Sequence, residues 1–113
     1  MSKLLINKIS QTPDQISFAE VIDHIDTHYN FTPTAFKNGE AYNAVNQNNG
    51  SCKVFSFAQL QQLSKEQTLR LFGDYYRKDV LGNPAGTDHQ NIRNFIKFGW
   101  EGIRFEGVAL VEK

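Results

Sequence analysis

Residues 48–80 read NNGSCKVFSFAQLQQLSKEQTLRLFGDYYRKDV, and the spacing of their apolar side chains decides the fold. After Gly50 the positions Val54, Phe55 and Ala58, broadened by Phe57, Leu60 and Leu63, fit a helix buried over much of its girth. Ser64 interrupts that stripe and heads Ser64-Lys65-Glu66-Gln67, a capping-box pattern in which serine and glutamine side chains satisfy orphan backbone amides. A second helix is therefore expected to start almost where the first stops. Its inner stripe is Leu69, Phe72, Tyr76 and Val80, with Arg70, Asp74, Arg77 and Lys78 toward water. Gly82, Asn83 and Pro84 end it, because proline has no amide to donate and restricts its predecessor to extended backbone. With so short a link, the two helices meet as a corner or tight hairpin.

Upstream, Lys3 to Ile9 carries Leu4, Leu5, Ile6 and Ile9 in a helix-like pattern, so residues 1–12 are expected to form an N-terminal clasp. Ser17-Phe18-Ala19-Glu20 is another capping box, and Phe18, Val21, Ile22, Ile25 and Tyr29 mark one face of a helix at about 17–30. Phe31 to Phe36 favours extended backbone and reads as a short strand. Residues 38–50, rich in asparagine and glycine, read as a long polar loop, a type that is usually functional or mobile. Downstream, Thr87-Asp88-His89-Gln90 reads as a third capping box opening a helix with Ile92, Phe95 and Ile96 inward. The tail from Trp100 then alternates as strand, with a turn or bulge at Glu106-Gly107. The expected fold is thus α+β, a mostly helical single domain of four to five helices. Its small antiparallel sheet pairs residues near Phe36 with residues near Phe105.

Composition narrows the function classes. A chain of 113 residues makes about one domain, burying roughly two thirds of its unfolded surface. Its 12 lysines and arginines balance 12 aspartates and glutamates, which argues against affinity for duplex nucleic acid through counterion release. The single cysteine cannot form an internal disulfide, and no apolar run reaches a membrane span or a signal-peptide core. A cytoplasmic protein is expected.

Four blocks carry a resemblance: FTPTAFKNG (31–39), NNGSCKVFSFAQL (48–60), LFGDYYRKDVL (71–81) and GTDHQNIRNFIKFGWEGIRF (86–105). Over Phe18 to Phe105 the chain resembles the HopJ type III effector family. The resemblance implies kinship with at least one protein classed as injected into host cells by a type III secretion apparatus, and so an alternative location outside the producing cell. It implies no catalytic residues.

The residues themselves offer four kinds of site. A polar pocket built by Asn38, Asn43, Asn46, Asn49, Ser51 and Arg77, with Asp88 beside it, is the leading reading. The long loop would fold over two helix starts whose unsatisfied amides hold a carboxylate or phosphate. The expected partner is a small anionic ligand or another protein, with no cofactor. The alternative is a thiol-dependent enzyme for acyl transfer or hydrolysis. There Cys52 in a helical first turn has a lowered thiol pKa, His89 is the base and Asp88 orients it. Against it, a lone cysteine before an apolar run is usually packing material. His24 and His28 share a helix face and with Asp14 resemble a metal set, but without a glutamate between them they read as surface residues, and no metal is expected. Tyr75, Tyr76, Arg77 and Lys78, with Arg70, Arg93 and Lys97, form a basic, aromatic cluster. Tyr76 belongs to the core stripe and Asp74 and Asp79 break the charge, so nucleic acid is not an expected partner.

Overall fold

The computed structural model describes residues 3–113, and for 3 and 4 the backbone alone. Met1, Ser2 and the Leu4 side chain of the expected clasp lie outside what is described. The chain runs α1 (Lys3–Gln11), α2 (Phe18–His28), β1 (Tyr29–Phe31), β2 (Phe36–Asn38), β3 (Ala41–Asn43), α3 (Asn49–Leu60) and α4 (Lys65–Arg70). A π-helical turn (Tyr75–Val80), α5 (Gln90–Phe98), β4 (Ile103–Phe105) and β5 (Leu110–Glu112) complete it. This is the mostly helical α+β architecture expected. Among the described residues no helix is long and apolar enough to cross a membrane.

Two of the three expected capping boxes form. The Ser17 side chain accepts from the Glu20 amide at 3.1 Å while the Glu20 carboxylate accepts from the Ser17 amide at 2.8 Å. Ser64 and Gln67 do the same at 3.1 and 2.9 Å. Each box satisfies two amides that the first helical turn leaves unpaired, which fixes where α2 and α4 begin. The predicted α2 stops slightly early, because Tyr29 is already extended (φ −131°, ψ 150°). It opens β1, which pairs antiparallel with β5 through Phe31↔Leu110.

The second helix of the deciding stretch is not continuous. It breaks at Gly73, which adopts φ +61°. A Cβ there would sit 2.7 Å from the Phe18 backbone nitrogen, so the chain passes α2 too closely for any side chain. After this break the helix resumes with i→i+5 bonding, as in Leu81 N–H to Tyr76 O at 3.0 Å. Such π-helical turns are uncommon and concentrate at functional sites.

Phe36 pairs with Phe105 as the alternation foresaw, in a three-stranded sheet ordered β3-β2-β4. Their rings stack at 5.3 Å. The third strand, β3, lies within the segment read as loop. Gly39 at φ +62° turns β2 back on itself, and the Phe98 ring fills the space a side chain there would need. Phe55 stands at the centre of the core, with the rings of Phe36, Phe72, Phe95 and Trp100 packed round it at 4.9 to 6.4 Å. Trp100 also donates to the Leu63 carbonyl at 3.0 Å, which ties the tail to the corner between α3 and α4.

Candidate functional site

The starts of α3 and α5 come together. Asn48, the residue before α3, and His89, the residue before α5, both take left-handed backbone (φ 57° and 50°), and neither side chain caps its helix. The Asn48 amide instead donates to Asn43 Oδ1 at 2.7 Å, and the His89 ring goes to Asp79. First-turn amides have no partner within a helix, so both ends keep their positive character. Between them lies an open cleft of about 210 Å³, walled on one side by Asn48, Gly50 and Ser51 and on the other by His89, Asn91 and Ile92.

Its floor is aromatic. Phe18, Phe72 and Tyr75 line it, with Phe18 6.1 Å from Phe72 and 5.1 Å from Tyr75. Tyr75 in turn lies 5.0 Å from the His89 ring, tilted by 31°. His89 Nε2 hydrogen-bonds Asp79 Oδ2 at 3.0 Å. The π-helical turn explains this pairing, because it places Tyr75 and Asp79 on the side that faces α5.

The residues expected to bind ligand scatter. Ser51 lines the cleft. Asn38 and Asn43 turn inward and are fully and almost fully buried. Asn38 Nδ2 donates to the Asn91 carbonyl at 2.8 Å and to Asn91 Oδ1 at 3.0 Å, while Asn43 and Asn91 bond each other through both amides. Buried amides generally find partners, and these find one another across β2, β3 and α5, except that Asn38 Oδ1 is buried without one among the described residues. Asn46 and Asn49 form a weak local pair at 3.4 Å. Arg77 serves neither helix start, since it donates to the Pro13 carbonyl at 3.1 Å and pairs with Asp74 at 2.9 Å.

The thiol arrangement also differs from expectation. Cys52 is fully buried and sits 3.5 Å from the Thr34 carbonyl oxygen, to which its S–H points. Burial pushes its thiol pKa up, against smaller lowering by the Thr34 carbonyl and Ser56. The shift is thus opposite in direction to the lowering expected, with desolvation its largest cause. Asp88 does not orient His89 either. It pairs with Arg93, whose guanidinium holds the Asp88 carboxyl below the usual carboxylate range, and it stays 3.9 Å from His89 Nε2. The third capping box is absent, because Thr87 offers its carbonyl to the Gln90 side chain and leaves the helix start to His89.

Asp79, Tyr75, Phe18 and Asn91 were missed as neighbours of the site. The i,i+4 spacing of Tyr75 and Asp79 was the one local signal that the two share a face. Asp14, the third member of the metal set considered, lies 3.9 Å from Arg70. The cations of the basic cluster are largely answered by carboxylates, Arg70 by Glu66 and Lys78 by Asp74.

Fold and cleft together define a small α+β protein built on an aromatic core, with a polar and aromatic hollow at two helix starts. The chain belongs to the HopJ type III effector protein family, whose profile matches residues 2–110. It is also similar to a solved structure described as the crystal structure of unknown function protein VPA0580. The two are 48% identical and superimpose with a TM-score of 0.97, covering 100% of this chain and 94% of that one. No curated protein matches it.

Proposed function

We propose that the chain is a binding module whose ligand is a small anion on a flat or apolar body, seated in the cleft between α3 and α5. One observation supports this above others: two helix starts without side-chain caps, Asn48 to Ser51 and His89 to Ile92, border the same hollow. The amides of Gly50, Ser51 and Asn91 suit a carboxylate or phosphate, and the Phe18 and Tyr75 rings suit a flat or apolar body. At about 210 Å³ the hollow is below the roughly 300–1,000 Å³ of sites for drug-sized molecules, so the occupant is small. A reducing cytosol suits a chain with one buried thiol, and membership of an effector family favours delivery by a type III apparatus.

The test is a titration of isotopically labelled protein with inorganic phosphate and with benzoate, followed by amide NMR shifts. Saturable shifts centred on Gly50, Ser51, Asn91 and Ile92, lost in Ser51→Glu, are expected. Shifts that never saturate, or that survive Ser51→Glu, defeat the reading.

A further inference from the structure

A second hollow, between α1 and α2, is larger at about 390 Å³. It is lined by Leu5 and Lys8 from one helix and by Glu20, Asp23, His24 and His28 from the other. We infer that His24 and His28 chelate one divalent transition-metal ion of the borderline class, Cu2+, Ni2+ or Zn2+, across a single turn of α2.

The geometry carries this. Residues four apart on a helix are surface neighbours, and here the ring centres lie 4.5 Å apart with the planes at 54°. A metal about 2.0–2.1 Å from an imidazole nitrogen is about 3.2 Å from that ring's centre. Bond angles at the metal between about 90° and 109° then place the two centres about 4.5–5.2 Å apart. The observed spacing falls at the lower end of that range.

The surroundings fit a cation. His24 is braced edge-on by Phe57 at 5.7 Å, so one ligand is held in place. Lys8 is neutralised by Glu20 at 2.9 Å, and the Asp23 carboxylate adds negative charge to the same hollow. Among the described residues no group of three or more His, Cys, Asp or Glu is placed to hold an ion. Water therefore completes the coordination, and binding is modest and exchangeable. Two nitrogen donors also exclude Ca2+ and Mg2+, which require oxygen, and rank Cu2+ above Ni2+ and Zn2+.

The chain has three histidines, and the third, His89, stands at the other cleft and serves as the control. Calorimetric titration of the full chain with NiCl2 at neutral pH should give one ion per chain. Even an outer partner of a metal ligand is worth ~10–100-fold in affinity, so His24→Gln and His28→Gln should each weaken binding at least ~10-fold. His89→Gln should leave it unchanged, and the Cu2+ complex should show coupling to two nitrogens by electron paramagnetic resonance. Should His24→Gln fail to fold, His28→Gln at the end of α2 decides alone. Retained affinity in His28→Gln, loss in His89→Gln, or more than one ion per chain overturns the assignment.

Discussion

Asn91 Nδ2 donates to Asn43 Oδ1 at 3.0 Å while Asn43 Nδ2 donates back to Asn91 Oδ1 at 3.2 Å, closing an amide pair inside the core. The pair joins the start of α5 to the β2-β3 hairpin, and Asn38 adds a further bond to the same oxygen at 3.0 Å. Asn91→Ala removes these three bonds and leaves buried polar atoms short of partners. At about 1 kcal/mol for each net bond, plus desolvation of what remains, the loss should be about 2–4 kcal/mol. Urea unfolding should show a lower midpoint with little change in slope. A loss under about 1 kcal/mol would mean that the network relaxes or admits water.

Gly73 and Gly107 make a matched contrast. Gly73 has φ +61°, and a Cβ on it would lie 2.7 Å from the Phe18 nitrogen, whereas one on Gly107 meets nothing closer than Thr34 at 3.8 Å. Gly73→Ala should cost more than about 2 kcal/mol through strain and displacement of α2. Gly107→Ala should stay within about 0.5 kcal/mol. Equal thermal midpoints for the two variants would refute the account of the break in the helix. Because Phe18 and Tyr75 flank that break, Gly73→Ala should also perturb the amides of Gly50 and Ser51.

What the sequence discloses here is local. Ser17 with Glu20 and Ser64 with Gln67 are three residues apart, so their caps follow from short-range rules. Phe36 and Phe105 could be matched because few other alternating segments compete. The break at Gly73 depends on how near α2 passes, which no local pattern records. Strand β3 hides in a stretch whose asparagines signal a loop, yet Asn43 is a core residue because Asn91, forty-eight positions on, supplies its partner. The cleft was legible as a meeting of two helix starts. Its lining was not, since Phe18 and Tyr75 reach it from α2 and the π-helical turn rather than from either helix start. The Thr87 box looked as good as the other two and failed because Arg93 draws the preceding loop, through Asp88 and the Asn83 and Pro84 carbonyls, into another shape.

Cys52 should be chemically quiet in the folded protein. It is fully buried and its pKa is raised by desolvation first. Native protein treated with iodoacetamide should label slowly at all values between about pH 6 and 9, and added urea should speed labelling in step with unfolding. Rapid native labelling with a midpoint below the ordinary thiol pKa would show an activated thiolate and return Cys52 to the candidate site.

The histidine pair predicts how stability depends on pH. His24 has its pKa lowered from 6.5, by burial first and by His28 next. A folded-state value below the unfolded one means that the folded chain binds fewer protons over the interval between them, so stability rises with pH there. The contribution is complete above about 6.5 and is lost as pH falls through the lowered folded value. Asp23 on the same helix works against the lowering, and Lys8 of α1 faces the same hollow paired with Glu20. The Glu20 carboxyl is held below its own ordinary value of 4.5 by the Ser17 amide and by Lys8, against burial, the largest single influence, which raises it. Its loss belongs to a more acidic interval and does not blur the first. Thermal midpoints should therefore fall between about pH 7 and 5, and His24→Gln should flatten that slope. Saturating Ni2+ should steepen it, because protons then also compete for the chelating nitrogens. A slope unchanged by His24→Gln would place the sensitivity elsewhere, and a slope indifferent to Ni2+ would count against the chelate as well.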